Sequence, residues 1–470
     1  MPKRVKLLFA CLFLLVVNVP NHQAQSSRAA QQRPNVVFMF ADNLGWGEVG
    51  VYGSVRGVPT PRIDKLAAEG IRLNNFNVEY SCTVSRAALL TGRYAIRTGA
   101  AQANGMTLWE VTIAEALKSV GYATALFGKW HLGGNNWANR APTNQGFDEW
   151  YGIPLTSNEA QTTTMPGFDP TTTEAPYIWE GKAGEPSRKV KVFDLDTRRT
   201  LDRESAQRGI AFMEKSVKER KPFFLYYPIT QIHFPTLPHP DFAGKTGAGD
   251  IGDSMADVDY NVGLVLDSIK KLGIERNTIV FWCTDNGAEI RRPWRGSSGP
   301  WTGFYNTVME GGIRTPCIIR WPGRIPAGRV SNEIVHEIDF LPTLAAAAGA
   351  EVPKDRAIDG VNQLPFLEGK QQKSNRDTVI FYTGNQVRAV KWKDWKFHYA
   401  FQLEPGANLA PLMRLFNLRS DPAEESDIKD ANPWAISVMD RIVADFVAST
   451  QRYPNVPANA TDPYTPPKQP

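Results

Sequence analysis

The chain alternates short apolar runs with polar breaks. Four runs are almost unbroken in apolar residues and stop abruptly: Asn35 to Phe40, Tyr122 to Phe127, Phe223 to Tyr227 and Thr278 to Thr284. Apolar strands of this kind imply burial on both faces, as in a parallel sheet covered by helices. The intervening segments carry helix punctuation. Thr60-Pro61 opens a helix with Ile63, Leu66 and Ala67 on one face, closed by Gly70. Thr112-Ile113-Ala114-Glu115 is a capping box whose helix Gly121 closes. Further helices are predicted over Ser254 to Leu272 and from Pro342 to Gly349, and a shorter one over Ser85 to Leu90, just after Cys82. The fold class is α/β, a large mixed and mostly parallel sheet sandwiched by helices.

From about Asp377 the pattern shortens to alternating segments: Val379 to Tyr382, Val387 to Trp392, Trp395 to Tyr399 and Leu415 to Leu418. They predict a smaller C-terminal antiparallel-sheet subdomain, with a last helix near Trp434 to Val447. The predicted boundaries are 34–375 for the α/β domain, 376–450 for the C-terminal subdomain and 451–470 for an extended tail rich in proline. Thr156 to Thr173 is predicted as a long polar loop.

Composition narrows the class. With 470 residues and 42% apolar content the chain can bury a large core. Of the formal net charge of +5, three positive charges are Lys3, Arg4 and Lys6. The remainder is too small to point to nucleic acid or to a membrane surface. Those three basic residues precede an apolar run, Leu7 to Val17, and a polar stretch around Ala24 to Ala30. This predicts a signal peptide over residues 1–30, a secreted or periplasmic mature protein, and no stable membrane insertion after leader cleavage. Of four cysteines, Cys11 lies in the leader. Cys283 and Cys317 sit in apolar strands and read as buried thiols rather than a disulfide framework. Cys82, alone in a polar segment, invites a chemical role.

All four runs end in reactive or ligand-type residues, at the strand ends where α/β active sites gather. Asp42-Asn43 and Asp285-Asn286 offer short oxygen-bearing side chains suited to a hard cation. His131 and His233 can transfer protons near neutral pH, and Lys129 and Arg86 can hold an anionic oxygen group. Each of these residue types also serves structural ends, so the case rests on their convergence.

The stretch Cys82-Thr83-Val84-Ser85-Arg86, continued by Leu90-Thr91-Gly92-Arg93, resembles the signature of the formylglycine-dependent (type I) sulfatases of the alkaline phosphatase-like superfamily. Supporting segments occur in the right order: Ala41-Asp42-Asn43-Leu44-Gly45, Gly128-Lys129-Trp130-His131, Gln145-Gly146-Phe147-Asp148, Thr284-Asp285-Asn286-Gly287 and Glu310-Gly311-Gly312-Ile313-Arg314. With Asp421-Pro422 the resemblance spans about residues 34 to 425. It implies a sulfuric ester hydrolase, arylsulfatase-like, whose motif cysteine becomes Cα-formylglycine through a transient maturation enzyme. Carried over by residue, Cys82 is the precursor and Arg86 steadies its hydrate. Asp42, Asn43, Asp285 and Asn286 hold Ca²⁺, with Mg²⁺ as the alternative ion. Lys129 contacts the sulfate, His233 is the acid for the leaving alcohol, and His131 the base for sulfate release. The implied substrate is a small-molecule or saccharide sulfate ester.

Three positions depart from the family pattern, and a further polar contact differs. Val84 replaces the motif proline, Asn43 a common aspartate, and Tyr305 stands where many members carry an active-site lysine; Thr156 or Ser157 replaces another polar contact. Val84 and Tyr305 motivate one alternative, an inactive pseudosulfatase binding sulfated glycans. The other is a phosphoester or phosphonate hydrolase of the same superfamily. Trp294, Trp301 and Phe304 are candidates for stacking on a sugar or aryl group.

Overall fold

A computed structural model describes residues 33–100, 105–402 and 412–467. The predicted leader and the last three residues of the tail lie outside the described residues. In chain order the first strands are β1 (Asn35–Ala41), β2 (Ile71–Leu73), β3 (Phe76–Asn77), β4 (Ala123–Lys129), β5 (Glu149–Ile153) and β6 (Tyr177–Lys182). There follow β7 (Arg188–Val192), β8 (Phe223–Tyr227), β9 (Thr278–Thr284), β10 (Cys317–Arg320), β11 (Arg329–Ser331) and β12 (Val335–His336). A ten-stranded sheet has the order β11-β2-β10-β9-β1-β8-β4-β5-β6-β7. The four apolar runs of the sequence are thus its central neighbours β9, β1, β8 and β4. They run parallel to one another, while β10, β6 and β7 are added antiparallel. Every residue of β1, β8 and β9 is buried, which explains why these strands read as continuous rather than alternating.

Helices cover both faces. The early ones are α1 (Pro61–Ala68), α2 (Cys82–Thr91), α3 (Ile113–Lys118), α4 (Leu195–Lys218) and α5 (Gly249–Lys271). The later ones are α6 (Glu310–Ile313), α7 (Phe340–Ala348), α8 (Leu364–Leu367) and α9 (Pro433–Arg452). Phe38, Phe40 and Phe281 join α2, α3 and α7 in one core; Val37, Met39 and Trp282 join α1, α4 and α5 in the other.

Four local results differ from the sequence reading. Cys82 is the first residue of α2 rather than lying ahead of it, and Gly92 ends that helix at φ +67°. Helix α5 starts at Gly249, five residues before the predicted Ser254, because its first turn is polar. The predicted polar loop contains a 3₁₀ segment, Ser157–Thr164. The 24-residue α4 was not anticipated: its apolar positions are spread among many charges, although Asp194 and Thr197 form a capping box at its start.

The C-terminal segments form a separate four-stranded antiparallel sheet of β13 (Thr378–Thr383), β14 (Gln386–Trp392), β15 (Trp395–His398) and β16 (Arg414–Asn417). Buried charges join this sheet to the main body. Lys391 and Lys396 reach opposite oxygens of Glu310 at 2.8 and 3.0 Å. Glu424 accepts from the Glu310 N–H at 2.7 Å and pairs with Lys396 at 3.0 Å. After α9 the chain lies against the main body, with Val456 N–H on the Arg97 carbonyl at 3.0 Å and Arg140 on Asp462 at 2.6 Å.

Candidate active site

Strand register delivers the two acidic-amide pairs to one place. β1 and β9 are matched through Phe40 with Cys283 and Ala41 with Thr284, so Asp42 and Asp285 leave adjacent strands together. The Asp285 N–H then bonds the Ala41 carbonyl at 3.0 Å, and the Asn43 N–H bonds Asp285 Oδ1 at 3.1 Å. Asn43 turns at φ +55°, a conformation asparagine tolerates better than most residues. Asn286 Nδ2 donates to Asn43 Oδ1 at 2.6 Å, while Asn286 Oδ1 is buried without a partner. All four side chains are fully buried.

Cys82 opens α2 against these oxygens, with Sγ 3.3 Å from Asp42 Oδ1 and 3.5 Å from Asn43 Oδ1. One turn on, Arg86 reaches Asp285 at 2.9 Å and Asp42 at 3.4 Å, and Nη1 donates to the Lys129 carbonyl at 3.2 Å. Lys129, the last residue of β4, places Nζ 2.6 Å from Asp42 Oδ2. Burial works against charge on Asp42, but Lys129, His233 and Arg86 together hold its carboxyl well below the usual range. Burial and then the neighbouring Asp42 push the Asp285 carboxyl up. Burial and Asp42 likewise keep the Cys82 thiol protonated.

The two histidines approach from separate loops. His131 follows β4 at φ +58°, and its Nδ1 is buried without a partner. Burial, then Lys129 and Arg86, push it well below its ordinary value, leaving a neutral ring. His233 follows β8; its Nδ1 lies 2.6 Å from the Phe234 carbonyl, and its Nε2 3.4 Å from Thr156 Oγ1. A proton on Nδ1 suits that carbonyl and leaves Nε2 open. Burial and Lys129 push His233 down to about 3. A side-chain atom each of Asp42, Cys82 and His233 lies within 4.8 Å of the others.

Positions absent from the sequence reading support this cluster. Glu289 Oε2 accepts from Asn43 Nδ2 at 3.4 Å, and its other oxygen accepts the N–H of Ile290 and Arg291. Arg198 of α4 bonds the carbonyls of Thr230 and His233 at 2.9 and 3.0 Å. Asp202, one turn later, accepts from the N–H of Thr230 and Gln231. Short motifs at strand ends could be read from sequence; a helix that braces a loop about 30 residues away leaves no such sign.

The departures from the family pattern also fall at the site. Val84 packs in the core beneath α2. Burial, and then Cys82 and Asp42, push the Tyr305 phenol well up, so it carries a proton beside the cluster. Ser157 Oγ is buried without a partner. Of the aromatic candidates, Trp301 packs under Arg314 and against Trp46. Trp294 donates to Asp250, and Phe304 carries Arg295 at 4.8 Å.

Comparison with known proteins decides the family. Residues 34–350 match the family model for Sulfatase, and residues 301–447 that for N-sulphoglucosamine sulphohydrolase, C-terminal. The chain belongs to the sulfatase family. Arylsulfatase A from Bos taurus is 34% identical over 474 residues, covering 93% of this chain and 92% of that protein. Among solved structures, the PsFucS1 sulfatase from Pseudoalteromonas sp. superposes with TM-score 0.85 at 30% identity, covering 90% of this chain and 92% of that one. Ps i-CgsB, solved with k-i-k-neocarrahexaose, gives TM-score 0.74 at 25% identity, covering 91% and 94%. This sulfatase is therefore a hydrolase of sulfate esters, in a family that generally uses formylglycine and a divalent metal.

Proposed function

We propose that this sulfatase cleaves saccharide sulfate esters with formylglycine made from Cys82, using Ca²⁺ held by Asp42, Asn43, Asp285 and Asn286. The observation that carries the reading is the contact of Cys82 Sγ with Asp42 Oδ1 and Asn43 Oδ1 at 3.3 and 3.5 Å, beside Arg86 and Lys129. The donor set suits a hard cation: two carboxylates and two amides, all buried, with Asn286 Oδ1 lacking a partner. In this family formylglycine supplies an attacking hydroxyl and a second one that drives sulfate release, while the metal adds positive charge beside the sulfate oxygens.

The chain's own groups bind, orient and move protons. Lys129 and Arg86, both buried, offer fixed donors to anionic oxygens. Being at the first turn of α2, residue 82 also faces the positive end of that helix. His233 Nε2 gives a proton to the departing alcohol oxygen. Burial and the Lys129 charge keep His233 neutral; a bound anionic ester offsets the second of these and favours the protonated ring, so the acid is loaded with its substrate. His131 takes the proton that leaves with sulfate expulsion.

A saccharide substrate is supported by the rim. Arg291 lies 4.1 Å over the Phe234 ring, which stacks on His233 at 4.7 Å. Arg291, Arg292 and Arg295 are exposed, and none pairs with a carboxylate among the described residues. Export through the N-terminal leader and maturation by a formylglycine-generating enzyme belong to the same proposal.

The test is mass spectrometry of the tryptic peptide Leu73 to Arg86 from protein co-expressed with a maturation enzyme, alongside rates on matched aryl sulfate and aryl phosphate. Sulfur lost and oxygen gained at Cys82, with sulfate preferred and Cys82→Ala inactive, is expected. Intact cysteine in active protein would sink the proposal.

A further inference from the structure

Cys283 of β9 and Cys317 of β10 face one another. They are direct register partners in an antiparallel pair, with Sγ atoms 2.8 Å apart and neither side chain exposed. Both lie on the sheet face that carries Phe281 and Ile319.

The backbone around Cys317 sets the type of pair. Its N–H donates to the Tyr52 hydroxyl at 3.0 Å, and its carbonyl accepts from that hydroxyl at 2.7 Å. Tyr52 also reaches the Leu73 carbonyl at 3.1 Å, so it sits between β10 and β2. A strand residue directs its N–H and C=O to the same side. The Cys317 groups therefore point to β2, and the pair with Cys283 is not hydrogen-bonded. Antiparallel pairs of that kind bring Cα atoms to about 4.5 Å, inside the span of about 4.4–6.8 Å that a disulfide bridges. Buried cysteines elsewhere serve as small apolar fillers, a role that does not require two of them in direct opposition.

We propose that Cys283 and Cys317 are joined by a disulfide in the mature sulfatase. This rests on the export reading for an oxidising compartment. Two thiols lose two protons and two electrons as the S–S bond forms. The oxidant is the disulfide of a thiol–disulfide exchange protein, which leaves as a dithiol. The bridge closes one covalent loop around Asp285, Asn286, Glu289 and Tyr305. It begins two residues before Asp285, so it anchors the strand that presents both carboxyl-terminal metal-type ligands. In the structure Cys82, Cys283 and Cys317 are all free and buried; oxidation as proposed pairs the last two and leaves Cys82 for maturation.

The decisive experiment sends the full chain to an oxidising compartment behind a heterologous leader, so that its outcome is independent of native export. The protein is quenched with acid, alkylated in denaturant without reductant, and digested with trypsin. Asn277–Arg291 and Thr315–Arg320 should appear as one linked species, two hydrogens lighter than their sum. Both peptides singly alkylated would overturn the bridge. Reductant should lower the Tm of the unaltered protein by several degrees and leave that of C283V/C317V unmoved. Equal shifts in both would overturn its role in anchoring β9.

Discussion

At the scale of single residues, the site is a set of buried charges that neutralise one another: Asp42 and Asp285 against Lys129 and Arg86. His233 is distinct because it depends on the leaving group. His233→Ala should cost roughly 10²–10⁴-fold in kcat on alkyl sulfates and little on nitrophenyl sulfate, which needs no protonation. Equal losses on both would remove its role as acid. Glu289 acts through Asn43. Glu289→Ala should weaken metal binding about 10–100-fold, read by titration of metal-stripped protein, with the Cys82 peptide still converted. The convergence of the two acidic-amide pairs and the histidines was legible because each follows an apolar run within a few residues. Glu289 was not: its partner Asn43 lies 246 residues away, and no local pattern records that distance.

Elements position these residues through register and through what they stand on. Helix α2 rests on two buried acids, Glu79 and Glu337, joined where the Glu79 N–H meets Glu337 Oε1 at 3.0 Å. Burial raises Glu79 from 4.5 to about 8, so the folded state keeps a proton that the unfolded chain releases. Its contribution to stability is full below pH 4.5 and is lost as pH rises towards about 8. Glu79→Gln should make that decline shallower, as urea midpoints at the two ends of the window would show; an unchanged slope would mean that Glu79 ionises in the fold. The central strands were legible from their continuous burial, as was α1 from its punctuation. Helix α4 was hidden because Arg198 and Asp202, which brace the His233 loop, occupy positions that an apolar-stripe reading counts as exposed.

On the scale of the whole molecule, the C-terminal sheet was legible as a change of texture, but its means of attachment was not. Glu310 belongs to a segment recognised for its resemblance, and nothing local ties it to Lys391 and Lys396. Removing one partner of a buried ion pair costs about 3–5 kcal/mol because the others remain charged and unpaired. Glu310→Ala should lower stability by that order in denaturant unfolding. It should also lower activity, since Gly312 of the same helix accepts the Gly287 N–H at 2.8 Å, next to Asn286. A stability close to that of the unaltered protein would show that the lysines shed their charge.

The same joint has a consequence for the medium in which the enzyme can work. Mobile ions weaken an attraction only where they and water can enter between the charges. Lys391, Lys396, Glu310 and Glu424 are sealed from both. Brine that dissolves the enzyme's surface pairs should weaken this buried fastening far less, so the joint between its sheets should depend little on salt.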